Sequence, residues 1–111
     1  MHLKVIEIKY RYSKIDGKRS EEVTKEETLP LHEGYLDFNG VRENYPYNEL
    51  IYVKEIKENE IVLIMLNKNE RLRELIRLKL NTEEVFYHKG PRGIPYGYLY
   101  HLILEDDNYE K

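Results

Sequence analysis

The stretch from Val85 to Leu104, VFYHKGPRGIPYGYLYHLIL, most constrains what this chain can fold into. Two apolar runs, each alternating through aromatic residues, flank a loop rich in glycine and proline. That pattern is typical of a β-hairpin with a long turn. The segments upstream of it also read as short strands, so the sequence predicts a mainly β fold with antiparallel pairing.

Length and composition narrow the class of protein. A chain of 111 residues supports one hydrophobic core, so we expect a single domain over residues 1–111 with a flexible, charged tail at 105–111. Eleven tyrosines and no alanine favour strands over helices. The chain has no cysteine, which excludes a disulfide framework, and no apolar run reaches the roughly 20 residues that span a bilayer. We therefore expect a cytoplasmic protein without a membrane span.

The N-terminal third predicts a hairpin with an exposed edge. The first strand alternates between a face with Ile6, Ile8, Tyr10 and Tyr12 and a face with Glu7, Lys9 and Arg11. Asp16-Gly17 then tolerates the positive φ of a tight turn. The return segment 21–28 is strongly acidic, as edge strands often are, so we predict an edge strand or a mobile arm. Its glutamates are Glu21, Glu22, Glu26 and Glu27.

The middle of the chain predicts four more strands. Asn39-Gly40 is a strong hairpin signal, which would pair Tyr35–Phe38 with Val41–Tyr45. Residues 49–56 form a further predicted strand. The run IVLIML at Ile61–Leu66 lacks alternation and suits a strand covered on both faces, at the centre of the core.

The segment 71–80 is ambiguous. As a helix it would place Leu72, Leu75, Ile76 and Leu80 on one stripe. As a strand it would place the basic residues on one face, namely Arg71, Arg73, Arg77 and Lys79. The short link from IVLIML favours the strand, and the helix would leave Leu78 on its polar side.

Three segments carry a resemblance to a known family: Glu33-Gly34-Tyr35, the Lys89-Gly90 pair, and Tyr96-Gly97-Tyr98-Leu99. In their order along the chain they resemble the YwiB-like family of bacterial calycin-like β-barrels. The resemblance implies an antiparallel meander that forms a small calycin-like barrel or a strongly curved sheet, with ligand binding in the cavity by analogy. The alternative is an α+β fold with one helix at about residues 70–80. Since the family's chains continue with further strands, free sheet edges would invite a homodimer.

Two features near the organising hairpin predict a binding site. Lys89 and Arg92 flank glycines whose backbone can approach an anionic ligand closely. Tyr96, Tyr98 and Tyr100 share one strand face, which suits a cavity wall or a stacking platform. The plain alternatives are a loop that only shapes a turn and tyrosines that only line the margin of the core.

Other chemistry has less support. Adjacent glutamate pairs point to opposite faces of a strand and cannot act together on one substrate. The four histidines lack metal-ligand spacing, and no cofactor motif is present. The basic face of residues 71–79 could meet an acidic partner, although a solvated face is the simpler explanation.

We therefore rank three functions. The first is a non-catalytic β domain that binds a small ligand or a partner on a tyrosine-lined surface near the loop 89–97. The second is a protein-interaction or inhibitor module that uses a sheet edge and the acidic arm. The third is weak binding of single-stranded nucleic acid. A net charge of −3 disfavours a dedicated binder of duplex DNA.

Overall fold

A computed structural model describes residues 1–38, 50–67, 72–89 and 96–107. These residues form β-strands and no helix. The strands are β1 (His2–Tyr12), β2 (Arg19–Pro30), β3 (Gly34–Tyr35), β4 (Ile51–Ile56), β5 (Glu60–Asn67), β6 (Leu72–Lys79), β7 (Glu83–Lys89) and β8 (Tyr96–Glu105). The predicted mainly β fold is confirmed. The alternative with a helix at about 70–80 is wrong, because that segment is β6.

The strands form two antiparallel four-stranded sheets. The terminal sheet has the order β2-β1-β8-β7, and the middle sheet has the order β3-β4-β5-β6. The chain is a meander in which β8 returns to pair with β1. Among the described residues, no ladder joins β2 to β3 or β6 to β7, so the arrangement is two facing sheets instead of a closed barrel.

The core lies between the two sheets. Its members come from both, including Leu3, Leu102, Ile51, Leu63 and Leu78, each fully buried. Burial of a side chain of this size stabilises the fold by roughly 1.5–3 kcal/mol before chain entropy is subtracted. The facing sheets therefore depend on each other for stability.

A short corner joins the two sheets between β6 and β7. Asn81 takes a left-handed conformation there, with φ of 63°, which asparagine tolerates better than most residues. The amide of Leu80 donates to the carbonyl of Asn59, and the amide of Asn81 donates to the carbonyl of Leu104. Backbone hydrogen bonds thus tie the corner to both sheets.

The middle sheet follows the sequence pattern. β5 lies between β4 and β6, as predicted for the IVLIML run. Ile61, Leu63 and Met65 are fully buried on its inner face, whereas Ile64 and Leu66 are half-buried on the outer face. Val62, also on the outer face, is 4% exposed. The prediction that both faces are covered therefore holds for the inner face and, on the outer face, for Val62.

In β1 the face towards the core is the one that carries Glu7. The two faces divide as predicted, but the buried side is that of Leu3, Val5 and Glu7, while Ile6 and Ile8 are half-exposed outside. Two apolar residues at the start of the strand set this orientation. Burial of Glu7 is tolerated because neighbouring strands supply its hydrogen-bond partners.

Glu7 is a fully buried carboxylate at the polar end of the core. The hydroxyl of Tyr100 donates to its Oε2 at 2.8 Å, and the hydroxyl of Thr24 donates to its Oε1 at 2.8 Å. Thr24 lies at a bulge in β2, where the register with β1 shifts. The bulge brings the threonine hydroxyl within reach of Glu7, and three strands are joined through one carboxylate.

The hairpin predictions have different outcomes. At Asp16-Gly17, Gly17 has φ of 70° and its amide donates to the carbonyl of Ser13, as expected for a tight turn. β2 is an edge strand of the terminal sheet, which confirms the edge prediction for the acidic segment. For Asn39-Gly40, the turn and the expected partner strand lie outside the described residues. Within the described residues, Tyr35 pairs with Tyr52 of β4.

The start and end of the described chain are linked, so the predicted flexible tail begins too early. Glu105 is the last residue of β8, and Asp107 Oδ1 lies 2.7 Å from His2 Nδ1. The other ring nitrogen of His2 lies 3.1 Å from Glu105 Oε1. The hydrogen bond to Asp107 is the main cause that raises the pKa of His2. In turn, the amino group of Met1 and then His2 lower the pKa of Asp107.

The buried carboxylate predicts a non-additive pair of substitutions. Tyr100→Phe leaves Glu7 one hydrogen bond short in a buried site, so we expect a loss of about 1–3 kcal/mol in the free energy of unfolding. Glu7→Leu combined with Tyr100→Phe removes both polar partners and should cost less than the sum of the single changes. Chemical denaturation at one fixed protein concentration measures the cycle. Strictly additive losses would contradict the coupling.

The His2 site predicts a pH-dependent stability. Because the folded pKa of His2 is raised above its ordinary 6.5, its contribution is complete below that value and is lost as pH rises through the folded pKa. The lowered pKa of Asp107 gives a contribution that is complete above its ordinary 3.8 and is lost as pH falls through the folded pKa. We expect His2→Gln to destabilise the protein most between about pH 4 and 6.5 and least above about pH 8. An equal effect at pH 5.5 and pH 9 would contradict this.

Candidate binding surface

The three tyrosines of the predicted site do share one face of β8. They lie opposite the polar residues of β1, in the register Glu7 with Tyr100, Lys9 with Tyr98 and Arg11 with Tyr96. That face points between the sheets. Tyr100 is fully buried and Tyr98 is 7% exposed, so both belong to the core. The ring of Tyr100 packs edge-on against Phe38, with 6.0 Å between centroids.

Only Tyr96 of this set is half-exposed, and it is surrounded by cations. Lys9 Nζ lies 4.7 Å from the centre of the Tyr96 ring, and Arg11 Cζ lies 5.7 Å from it. Both distances fall within cation–π range. In the same predicted site, the backbone of Lys89 pairs with Gly97, and Arg92 lies outside the described residues.

A tyrosine-lined surface does lie next to Lys89 and Gly97, on the opposite face of the terminal sheet. We call it the tyrosine surface; it consists of Tyr10, Tyr12, Tyr87 and Arg19. Tyr10 lies at the centre, with ring centroids 5.9 Å from Tyr12 and 6.2 Å from Tyr87, both in edge-on geometry. Tyr12 is 45% exposed and Tyr87 is 47% exposed. The outer pair therefore presents aromatic area to solvent while Tyr10 is held beneath.

Gly97 provides the space for this arrangement. It pairs with Tyr10 across the β1–β8 ladder, and the Tyr10 ring lies directly over it. A Cβ at position 97 would lie 2.5 Å from Tyr10 Oη and 2.7 Å from Cζ. Glycine is required here for close approach of a ring to the backbone and not for a special φ.

Arg19 holds the rings together from above. Its Cζ lies 4.9 Å from the centre of the Tyr10 ring and 5.8 Å from that of Tyr87. Hydrogen bonding to Tyr87 is the main cause that raises the pKa of Arg19. Arg19 Nη2 also lies 3.3 Å from Glu21 Oε2. The sequence analysis missed Arg19. The turn at Asp16-Gly17 pointed to it, because that turn places Arg19 opposite Tyr12.

An apolar row extends the tyrosine surface across the sheet. Val23, Ile8, Leu99 and Tyr87 lie side by side on β2, β1, β8 and β7. Val23 at one end is 58% exposed, whereas Leu99 in the middle is 2% exposed. The surface is therefore apolar along its length and flanked at Arg19 by charge.

The predicted basic face lies on the other sheet. Arg77 and Lys79 are exposed on the outer side of β6, and Ile76 and Leu78 are buried on the inner side. The backbone of Arg73 pairs with Leu66, and Arg71 lies outside the described residues. Leu75, 53% exposed, shares the outer side with Arg77.

The acidic segment is partly neutralised within the sheet. Lys4 Nζ lies 2.9 Å from Glu26 Oε1, and Lys25 Nζ lies 3.2 Å from Glu27 Oε2. Glu22 is exposed, and Glu21 contacts Arg19 as described above. Glu21 lies in register with Tyr10, and Glu22 lies in register with Lys9 on the opposite face of the sheet.

The described ranges contain neither a metal-binding cluster nor a membrane-spanning helix. No group of three or more potential ligands could hold a metal ion there. No helix long and apolar enough to cross a membrane occurs in that part of the chain. The side chain of His101 forms a hydrogen bond through Nδ1 with Oε1 of Glu83 on the neighbouring strand.

Comparisons with protein-family models, curated proteins and solved structures return no match to this chain.

The contact between Tyr10 and Gly97 predicts a local effect on the tyrosine surface. Gly97→Ala should displace the Tyr10 ring, because its Cβ cannot occupy the space of Cζ and Oη. We expect a loss of about 1–3 kcal/mol in the free energy of unfolding, measured by denaturation. Combining it with Tyr10→Leu, which removes the ring, should recover part of the loss. No recovery would show that the cost of the methyl group arises elsewhere.

Proposed function

We propose that this chain is a non-catalytic binding module and that the tyrosine surface binds a partner protein. The observation that carries the proposal is the arginine held on the Tyr10 ring between two tyrosines that are each nearly half exposed. Tyrosine and arginine are the residue types, with tryptophan, that most often dominate the binding energy of protein interfaces.

The preformed geometry supports this use. Edge-on packing and cation–π contacts already fix the rings and the guanidinium, so little side-chain entropy is lost on binding. The apolar row from Val23 to Tyr87 supplies a dry centre beside this anchor, and Glu21, in register with Tyr10, supplies a charged rim. An apolar centre with a polar rim is the usual anatomy of such an interface.

The proposed surface lies on the other face of the sheet from the predicted tyrosines. Tyr98 and Tyr100 serve the core, so substituting them would act through stability and would not report on binding. Tyr96, with Lys9 and Arg11, remains the place for a small anionic ligand near the loop 89–97. We also propose that the chain is a divergent relative of the YwiB-like family and acts in the cytoplasm.

A second candidate function uses the edge of β2. The exposed side chains from Arg19 to Val23 flank backbone groups that face no further strand among the described residues. A partner strand could add there, with Glu21 and Glu22 steering a basic partner. Single-stranded nucleic acid remains the third candidate, since tyrosine and arginine also stack on bases.

The proposal is tested by crosslinking in cells of the source organism. A photoreactive phenylalanine analogue at position 87 should crosslink one specific protein, and the same analogue at position 35, as the matched control, should not crosslink that protein. Tyr35 is 49% exposed, close to the value for Tyr87, but lies on the other sheet. Crosslinks that disappear after nuclease treatment would instead support the nucleic-acid candidate.

The purified partner then gives the affinity test. Tyr87→Ala should weaken binding by about 30-fold or more if Tyr87 is a dominant contact. Tyr35→Ala should leave the affinity within about twofold, as expected for a residue outside the interface. Equal effects of the two substitutions would reject the tyrosine surface. An affinity that depends strongly on salt, loses this dependence in Glu21→Gln and Glu22→Gln, and does not change in Tyr87→Ala would favour the β2 edge.

A further inference from the structure

The outer face of the middle sheet carries a second apolar row. Tyr35, Tyr52, Ile64 and Leu75 lie side by side on β3, β4, β5 and β6, in continuous register. We call this row the middle-sheet face. It lies on the far side of the core from the tyrosine surface, so the two surfaces can be occupied independently.

The row is apolar and accessible. Tyr35 is 49% exposed, Tyr52 is 37% exposed and Leu75 is 53% exposed, and Ile64 is half-buried between them. The rings of Tyr35 and Tyr52 already pack edge-on at 5.0 Å between centroids. Contiguous exposed apolar residues across a whole sheet mark an interaction site more often than a solvated surface.

The next row along the strands carries opposite charges at its two ends. Glu55 on β4, Val62 on β5 and Arg77 on β6 lie side by side. Glu55 and Arg77 are exposed, and within the described ranges neither forms an ion pair with another residue. This row therefore has an acidic group at its β4 end and a basic group at its β6 end, with the exposed Lys54 next to Glu55 at the bulge in β4.

A face of this pattern is complementary to itself. A two-fold axis running along β5 leaves each row in place and exchanges the β4 and β6 sides. Two copies related by this axis bring Tyr52 against Leu75, Ile64 against Ile64 and Glu55 against Arg77 of the second copy. A two-fold axis perpendicular to the sheet is not an alternative, because it would leave the two faces side by side and not stacked.

We propose that the middle-sheet face binds a second copy of this chain across a two-fold axis along β5. Facing sheets then pack about 10 Å apart with their strands nearly aligned, as in β-sandwiches. Each subunit contributes one glutamate and one arginine, so the dimer contains two ion pairs between Glu55 and Arg77. The tyrosine surface of each subunit stays free for its partner.

The size of the face sets the affinity to expect. The width of the face comes from three strands about 4.8 Å apart and their side chains, and its length from six to eight residues at about 3.3 Å each. These dimensions give an area of roughly 400–500 Å² per subunit. That area is at the low end for specific complexes, so we expect a dissociation constant of about 10–100 μM. The dimer should therefore be visible only when concentration is varied.

Sedimentation velocity of the purified full chain from about 1 μM to 1 mM tests the proposal. Wild-type protein should pass from monomer to dimer across this range. Glu55→Arg alone places two arginines together, and Arg77→Glu alone places two glutamates together, so each should weaken association about tenfold or more. The double substitution exchanges the charges and should return the dissociation constant to within about threefold of wild type.

An apolar variant and a matched control complete the set. Leu75→Glu should keep the protein monomeric throughout, whereas Ile15→Glu, on a turn residue that is 97% exposed, should leave association unchanged. Circular dichroism confirms that each variant is folded. A monomeric wild type at all concentrations, a dimer that Leu75→Glu does not weaken, or a failure of the double exchange to restore association would each overturn the proposal. Since the measurement needs no partner protein, it is independent of the crosslinking test.

Discussion

The pairing of β1 with β8 is the constraint on which the rest of the structure depends. It runs from His2 with Glu105 to Arg11 with Tyr96, so one continuous ladder joins the two ends of the described chain. β1 and β8 are the inner strands of the terminal sheet, and both edge strands of that sheet attach to them. Without this ladder, the β1–β2 pair and the β7–β8 pair would be two separate pairs of strands and would not form one sheet. The Glu7 carboxylate lies on the inner side of this ladder, and the tyrosine surface lies on its outer side.

Much of the fold could be predicted from the sequence because strand patterns are local. The alternation in β1, the acidic edge in β2, the apolar run in β5 and the strand at β6 each follow from neighbouring residues. The core face of β1 could not be predicted in this way. A glutamate at position 7 predicts a solvent-exposed side chain, because its buried partners Tyr100 and Thr24 are 93 and 17 positions away in the sequence. Register across distant strands decides the outcome.

The candidate site shows the same division. The sequence analysis predicted correctly that Tyr96, Tyr98 and Tyr100 share a face, but not which side of the sheet that face covers. Tyrosine is amphipathic, so it suits the core margin and the surface equally well. Tyr10 and Tyr12 were recognised as a same-face pair, whereas Tyr87 and Arg19 join them only through two separate ladders. Residues brought together by long-range pairing leave little trace in a single sequence.

The distance along the chain between β1 and β8 has a consequence for the order of folding. The hairpins β4–β5 and β5–β6 close over a few residues, whereas the β1–β8 ladder closes only after nearly the whole chain is available. During that interval Leu3 and Val5 have no β8 to cover them, and one long edge of β1 stays open. A chain of this topology is therefore most prone to aggregation at β1. The acidic strand β2 follows β1 directly in the sequence, so it can pair with one edge of β1 early and protect that edge.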